Sequence, residues 1–63
     1  MNIAKLLGLM GEHKHTQADI ANHLNIASST LTLKLSGKTE FKASEIDKLC
    51  KLYNVTADYF FTK

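Results

Sequence analysis

Apolar residues recur along most of the chain at intervals of three and four positions, which is the spacing of an amphipathic helix. Near the N-terminus Asn2 can cap a helix of this kind, and we expect helix 1 over about residues 2–12, with an exit that lasts to His15. The apolar positions that define this helix are Ile3, Leu6, Leu7 and Met10.

The clearest start signal lies at Thr16. The segment T-Q-A-D from Thr16 to Asp19 has the pattern of a capping box in its acidic variant, in which the Thr16 side chain bonds to the Asp19 backbone N–H and the carboxylate reaches back. Asn25 can adopt the left-handed conformation that ends a helix. We therefore expect helix 2 over about residues 16–24, with an apolar face of Ile20, Ala21 and Leu24.

Residues 26–38, IASSTLTLKLSGK, have an ambiguous pattern. Alternation of apolar and polar residues is typical of a half-buried β-strand. However, no other segment alternates convincingly, and an isolated strand cannot satisfy its backbone hydrogen-bonding groups. The alternating residues are Leu31, Leu33 and Leu35 with Thr32 and Lys34 between them.

A helical interpretation of the same stretch satisfies the backbone. At about 100° per residue, Ala27, Leu31 and Leu35 share one face. Gly37 is a suitable residue after a helix end. We therefore expect helix 3 over residues 27–36, and this expectation leaves Leu33 facing solvent.

The last third of the chain returns to helical spacing after Phe41, which we expect to face inward. We expect helix 4 to begin at Ser44 or the residue before it and to end at Asn54. Thr56 is expected to cap a final helix, Ala57–Phe61, with Tyr59 and Phe60 as core candidates. The apolar residues that define helix 4 are Ile46, Leu49, Cys50 and Tyr53. The sequence therefore predicts one all-α domain over residues 1–63, with five short helices.

Composition limits the possible functions without selecting one. A chain of 63 residues is near the lower size limit for independent folding, and it has no apolar run near the roughly 20 residues that span a bilayer. Its single cysteine excludes an internal disulfide and fits a reducing compartment. The net charge of +2 is too small to indicate nucleic acid by itself. Three lysines nevertheless lie within nine residues, namely Lys34, Lys38 and Lys42. They form either a surface that contacts nucleic acid or simply a solvated basic face.

Two short helices joined by a turn of about four residues form a helix-turn-helix pattern. In this register the chain resembles the Cro/repressor class of helix-turn-helix domains, best known from temperate phage. The resemblance covers residues 3–61. The matching residues are Thr16 to Ala21, Leu24 to Ile26, Ser29 to Leu31, Leu35 to Lys38, Glu45 and Ile46, Leu49, Asn54 and Val55, and Ala57 to Phe60.

The resemblance implies that the chain is a five-helix DNA-binding transcriptional regulator of the cytoplasm, in a bacterial host. It would bind double-stranded operator DNA as a homodimer, with helix 3 in the major groove. The implied base-reading residues are Ser28, Ser29, Thr32 and Leu33. The implied phosphate-contacting residues are Thr16, Gln17, Lys34, Lys38, Thr39 and Lys42.

Leu33 has two possible roles. It can contact thymine methyl groups in the major groove, with the neighbouring hydroxyls bonding to either base type. Alternatively, it is a packing or dimer contact, since single exposed leucines are common.

The chain departs from the family pattern at several positions. Many members have a buried ion pair between an Arg on helix 1 and a Glu near the end of helix 3, and the corresponding residues here are Met10 and Leu35. This double replacement is consistent, because loss of one partner alone would leave a buried charge unpaired. His15 replaces the usual Leu, so we expect it to pack. The outer face of helix 3 has no Arg, Gln or Asn, so bidentate base readout could come only from Lys34.

These departures keep a second function open, namely a protein-binding module on the same scaffold that binds a partner repressor. Phe61 follows Phe60, which is expected in the core. The Phe61 ring is then either partly covered by its own domain or part of an apolar patch that contacts another protein chain. We expect no membrane contact, no cofactor and no catalytic set. Three histidines suggest a metal site, but no carboxylate or cysteine completes a known metal-ligand spacing with them. These histidines are His13, His15 and His23. Cys50 is expected to be a small buried hydrophobe.

Overall fold

The computed structural model describes residues 1–62, and these residues form five α-helices and no strands. The prediction of an all-α, five-helix fold is therefore confirmed, and the strand-like stretch at residues 26–38 is helical. In chain order the helices are α1, Ile3–Glu12; α2, Gln17–Leu24; α3, Ser28–Leu35; α4, Ala43–Tyr53; and α5, Ala57–Phe61.

Several helix ends are set by residues that the sequence indicated. The Thr16 hydroxyl accepts from the Asp19 N–H at 3.2 Å, and the Asp19 carboxylate accepts from the Thr16 N–H at 2.8 Å, which confirms the capping box. Asn25 and Asn54 end α2 and α4 with φ of 58° and 54°, because the short polar side chain of Asn tolerates the left-handed conformation. Thr56 precedes α5 but makes no side-chain cap hydrogen bond.

The core receives buried apolar side chains from every helix of residues 1–62 and from the α3–α4 loop. In this arrangement α2 packs against α3 and α4, and α5 packs against α1 and α4. Burial of apolar surface is the main source of stability in a domain this small. The buried apolar residues are Leu6, Leu9, Met10, Ile20, Ala21, Leu24, Leu31, Phe41, Leu49, Tyr53 and Phe60.

The aromatic residues of α5 differ in burial. Phe60 is 0% exposed, whereas Tyr59 is 36% exposed and Phe61 59% exposed. The prediction of Tyr59 as a core residue is therefore wrong. A helix of five residues directs only one of three consecutive side chains straight into the core, since successive residues are about 100° apart. The Tyr59 ring lies instead beside the Lys5 ammonium, 4.8 Å from the ring centroid.

The two ends of the described chain are joined by hydrogen bonds. The Asn2 N–H donates to the Phe60 carbonyl, and the Asn2 side-chain amide donates to the Thr62 carbonyl at 3.1 Å. The Lys5 ammonium donates to the Thr62 hydroxyl at 2.6 Å. These contacts hold α5 against α1 and keep the Phe60 ring in the core.

Candidate nucleic-acid interface

The connection between α2 and α3 orients the two helices. Asn25 reverses the chain in its left-handed conformation, and the Ile26 N–H donates to the Ala21 carbonyl at 3.0 Å. Leu24 and Leu31, one from each helix, are buried in the shared core. This short connection holds α3 by its inner face, so its outer face is free to meet another molecule.

The outer face of α3 carries the four predicted base-reading residues, and all of them are exposed. Leu33 is 42% exposed, which confirms the expectation that it faces solvent. Contact with base edges requires exposed side chains of this kind. The four residues are Ser28, Ser29, Thr32 and Leu33.

Gln17 and Thr32 are joined across the helix-turn-helix. The Thr32 hydroxyl lies 3.2 Å from the Gln17 side-chain oxygen and 3.0 Å from the Ser28 carbonyl, and it can donate to either. With its oxygen facing Thr32, the Gln17 amide has two N–H donors for an acceptor such as a phosphate oxygen. Sequence reasoning missed this contact, because the two residues lie on different helices.

Lys34 does not belong to this exposed surface. It is 5% exposed, and its ammonium donates to the Glu45 carboxylate at 2.8 Å and to the Glu40 carbonyl at 3.1 Å. We therefore correct the predictions that Lys34 contacts a phosphate or reaches a base. Lys34 follows Leu31 by three positions, so both face inward on α3, and the charged end meets a carboxylate there.

The loop from Ser36 to Lys42 holds three of the predicted phosphate contacts. Gly37 adopts a φ of 84°, a conformation that favours glycine, and its N–H donates to the Lys34 carbonyl at 3.2 Å. The Lys38 N–H then donates to the Leu33 carbonyl at 3.0 Å. The loop therefore begins directly beside the exposed end of α3, and it presents Lys38, Thr39 and Lys42 to solvent.

Met10 and Leu35 occupy the positions for which the resemblance implies a buried ion pair. Met10 is buried in the core, and Leu35 is partly buried and packs against the same core, as an apolar double replacement requires. The buried ion pair of this chain joins α3 to α4 instead, through Lys34 and Glu45. Sequence reasoning had treated Glu45 only as part of the resemblance.

Two carboxyl groups are stabilised in their charged form. Burial opposes ionisation of Glu45, but hydrogen bonds from the Lys34 ammonium and the Lys42 N–H outweigh it, so its pKa lies below the ordinary value. Hydrogen bonds from the backbone N–H and side chain of Thr16 lower the pKa of Asp19.

These two pKa shifts predict acid sensitivity. Because both pKa values are lowered on folding, the associated stability is fully present above the unfolded-state pKa values of about 4. It is lost as the pH falls through the folded values. We expect the melting temperature, followed by circular dichroism, to fall below about pH 4. The Asp19→Asn/Glu45→Gln variant should have a flatter profile, and an unchanged wild-type melting temperature down to pH 2 would contradict this assignment.

Two of the three histidines, His13 and His15, take part in packing at the exit from α1. The His15 Nδ1 lies 2.7 Å from the Tyr53 hydroxyl, which confirms a packing role for His15. The His13 ring lies 5.7 Å from the His15 ring and 5.0 Å from the Tyr53 ring, between centroids. Within residues 1–62 no group of three His, Cys, Asp or Glu residues is arranged to hold a metal ion.

Cys50 lies partly buried against the core on α4. Burial, with a smaller contribution from Asp47, raises the pKa of its thiol. A thiol with a raised pKa is a poor nucleophile at neutral pH, so Cys50 is a packing residue as expected.

A comparison with protein families identifies the domain. The family described as Cro/C1-type HTH DNA-binding domain matches residues 5–58, which contain the whole of α2, α3 and α4. The chain belongs to this family. The Cro/C1-type domain is accordingly a helix-turn-helix domain that binds double-stranded DNA, of the kind found in transcription regulators.

The comparisons with curated proteins and with solved structures find no significant match to this chain. Within residues 1–62, none of its helices has both the length and the apolar character needed to cross a membrane.

Proposed function

We propose that this Cro/C1-type domain is a sequence-specific, Cro-like phage repressor that places α3 in the major groove of an operator. The observation that carries this proposal is the division of α3 into two faces. Leu31 is fully buried on one side, whereas Ser28, Ser29, Thr32 and Leu33 are exposed on the other. The Ser28 and Ser29 hydroxyls can donate to or accept from base edges, and the Thr32 hydroxyl, whose proton is already donated, can accept from them. Leu33 can contact thymine methyl groups.

Phosphate contacts on both sides of α3 would fix the register of the domain on the duplex. On one side lie Thr16 and Gln17 at the start of α2, where backbone N–H groups favour an anion. On the other side lie Lys38, Thr39 and Lys42, all exposed. Because each neutralised phosphate releases counterions, affinity should fall steeply with salt.

Two copies of the domain would bind the half-sites of a pseudo-palindromic operator, about one helical turn apart. Phe61, 59% exposed, lies beside Val55 and Ile46 in an apolar groove between α4 and α5. We assign this groove to the contact between the two copies. The regulator would act in the cytoplasm of a bacterial host, with the whole chain as a single domain.

Leu33→Glu is expected to weaken operator binding roughly 100-fold, because it removes an apolar base contact and brings a negative charge toward the phosphates. Fluorescence anisotropy with DNA from the protein's own promoter region measures the loss. Leu7→Glu on α1 is the matched control, since Leu7 is also an exposed leucine. Equal affinity of the Leu33→Glu and Leu7→Glu variants would exclude α3 as the reading helix.

A second candidate function is binding to a partner repressor. It is favoured by the burial of Lys34, which leaves the outer face of α3 without the cationic side chain that the sequence had placed near it. An exposed leucine among hydroxyls can also be covered by a protein. If the purified protein binds neither specific nor bulk DNA at low salt, yet binds a repressor encoded beside it, this second function replaces the first.

A further inference from the structure

Lys34 and Glu45 form an ion pair that links the end of the recognition helix to the first turn of α4. Their side chains are only 6% and 7% exposed, and the Nζ–Oε1 distance is 2.8 Å. The pair lies between the two elements that bracket the loop from Ser36 to Lys42. No base or phosphate contact is available to side chains buried to this degree.

The same two side chains hold the second half of the loop at three points. The Lys34 ammonium donates to the Glu40 carbonyl at 3.1 Å and lies 5.7 Å from the centroid of the buried Phe41 ring. The Glu45 carboxylate accepts from the Lys42 N–H at 2.7 Å. Three consecutive residues, Glu40, Phe41 and Lys42, are therefore fixed by one ion pair.

The first half of the loop is held separately, by the carbonyl groups at the end of α3. The N–H groups of Lys38 and Thr39 donate to the Leu33 carbonyl at 3.0 and 3.4 Å. Because these bonds attach the loop to α3 at one point only, the loop could still change its orientation relative to α3 if its C-terminal half were not also held. The ion pair supplies this second attachment.

Stability alone does not account for a buried ion pair at this place. The desolvation of two charges offsets much of their attraction, and apolar residues of similar size are often as stabilising or more so. A charged pair differs from an apolar contact in that its hydrogen bonds have direction. Here those bonds fix backbone atoms of the loop relative to α3.

We infer that Lys34 and Glu45 are positioning residues for DNA binding, which set the loop so that Lys38 and Lys42 meet the backbone of the duplex that α3 reads. This inference rests on the proposed function. Neither residue touches DNA itself; each acts through the loop.

The test replaces the pair by apolar residues, Lys34→Met/Glu45→Leu, which leaves the net charge unchanged. The matched control is Asp47→Asn/Lys51→Gln, which removes an exposed ion pair of α4 at the same net charge. Two quantities are measured for each protein: amide hydrogen exchange, and DNA affinity as a function of salt. Lys34→Gln/Glu45→Gln, which also leaves the net charge unchanged, is the alternative variant if the apolar pair does not fold, and the same changes are expected for it.

For Lys34→Met/Glu45→Leu we expect the Lys38 and Thr39 amides to exchange roughly tenfold faster, while core amides such as Leu49 keep their protection. DNA affinity should fall roughly tenfold, and the slope of log K against log salt should become shallower by about 1 to 2, the equivalent of one or two phosphate contacts. The control should match the wild type in both measurements. A pair with a structural role alone would also change the loop exchange, but it would leave the salt slope unchanged.

If folded Lys34→Met/Glu45→Leu protein keeps the DNA affinity, salt slope and loop exchange of the wild type, this inference is wrong. The proposed function would be unaffected by that result. Loss of affinity with an unchanged salt slope would also overturn the inference, because the phosphate contacts would then still be present. A wild-type protein that binds no DNA at low salt would overturn the proposed function, and the positioning role would fall with it.

Discussion

Glu45→Ala is expected to lower the free energy of unfolding by about 3–5 kcal/mol, the typical cost of removing one partner of a buried ion pair. The Lys34 ammonium would remain almost fully buried, with the Glu40 carbonyl as its remaining hydrogen-bond acceptor in the described contacts. The Lys42 N–H would lose its acceptor as well. Domains of this size have a total stability of about 3–9 kcal/mol, so the substitution should remove about half of the stability or more.

Urea denaturation followed by circular dichroism measures this loss. Asp47→Ala is the matched control, because it breaks the exposed Asp47–Lys51 pair and should cost less than about 1 kcal/mol. Lys34→Met/Glu45→Leu should retain stability close to that of the wild type, since no unpaired charge remains. A loss below about 1 kcal/mol for Glu45→Ala would mean that Lys34 finds water or another partner.

Phe60→Ala is expected to cost about 3–5 kcal/mol, through lost transfer free energy and the cavity left behind. The ring is 0% exposed and lies in the core that α5 shares with α1 and α4. The hydrogen bond from the Asn2 N–H to the Phe60 carbonyl does not involve the ring. The loss of stability therefore measures the contribution of the Phe60 side chain.

The neighbouring Phe61 provides the control for this prediction. Its ring is largely exposed, and Phe61→Ala should change the free energy of unfolding by no more than about 0.5 kcal/mol. Thermal unfolding of both variants, at a concentration low enough to favour monomers, gives the comparison. Similar losses for Phe60→Ala and Phe61→Ala would contradict the assignment of Phe60 alone to the core.

The helices could be predicted because their signals are local. Apolar spacing gave the helical character of α1, α2 and α4, and the Thr16 capping box and the left-handed Asn25 and Asn54 marked helix ends. The strand-like leucines of α3 were resolved by backbone hydrogen bonding, since no partner strand was available. These inferences require only residues close together in the chain.

The errors arose where distant residues decide the outcome. Lys34 was assigned to a solvent-exposed basic cluster, but its partner Glu45 lies eleven positions away on another helix. Tyr59 and Phe60 were equivalent as apolar residues, and the packing of α5 against α1 and α4 selected Phe60. The roles of Ser28 and Leu33 on DNA stay predictions, because they depend on a partner molecule.

The outer face of α3 is nearly independent of the scaffold that supports it. Ser28, Ser29 and Leu33 are exposed, so exchange of their side chains should cost the fold little, whereas Thr32 is bonded to Gln17. A lineage of such regulators could therefore acquire a new operator through three positions, without compensating changes in the core. The DNA sequences that such regulators recognise would then change faster in evolution than their fold.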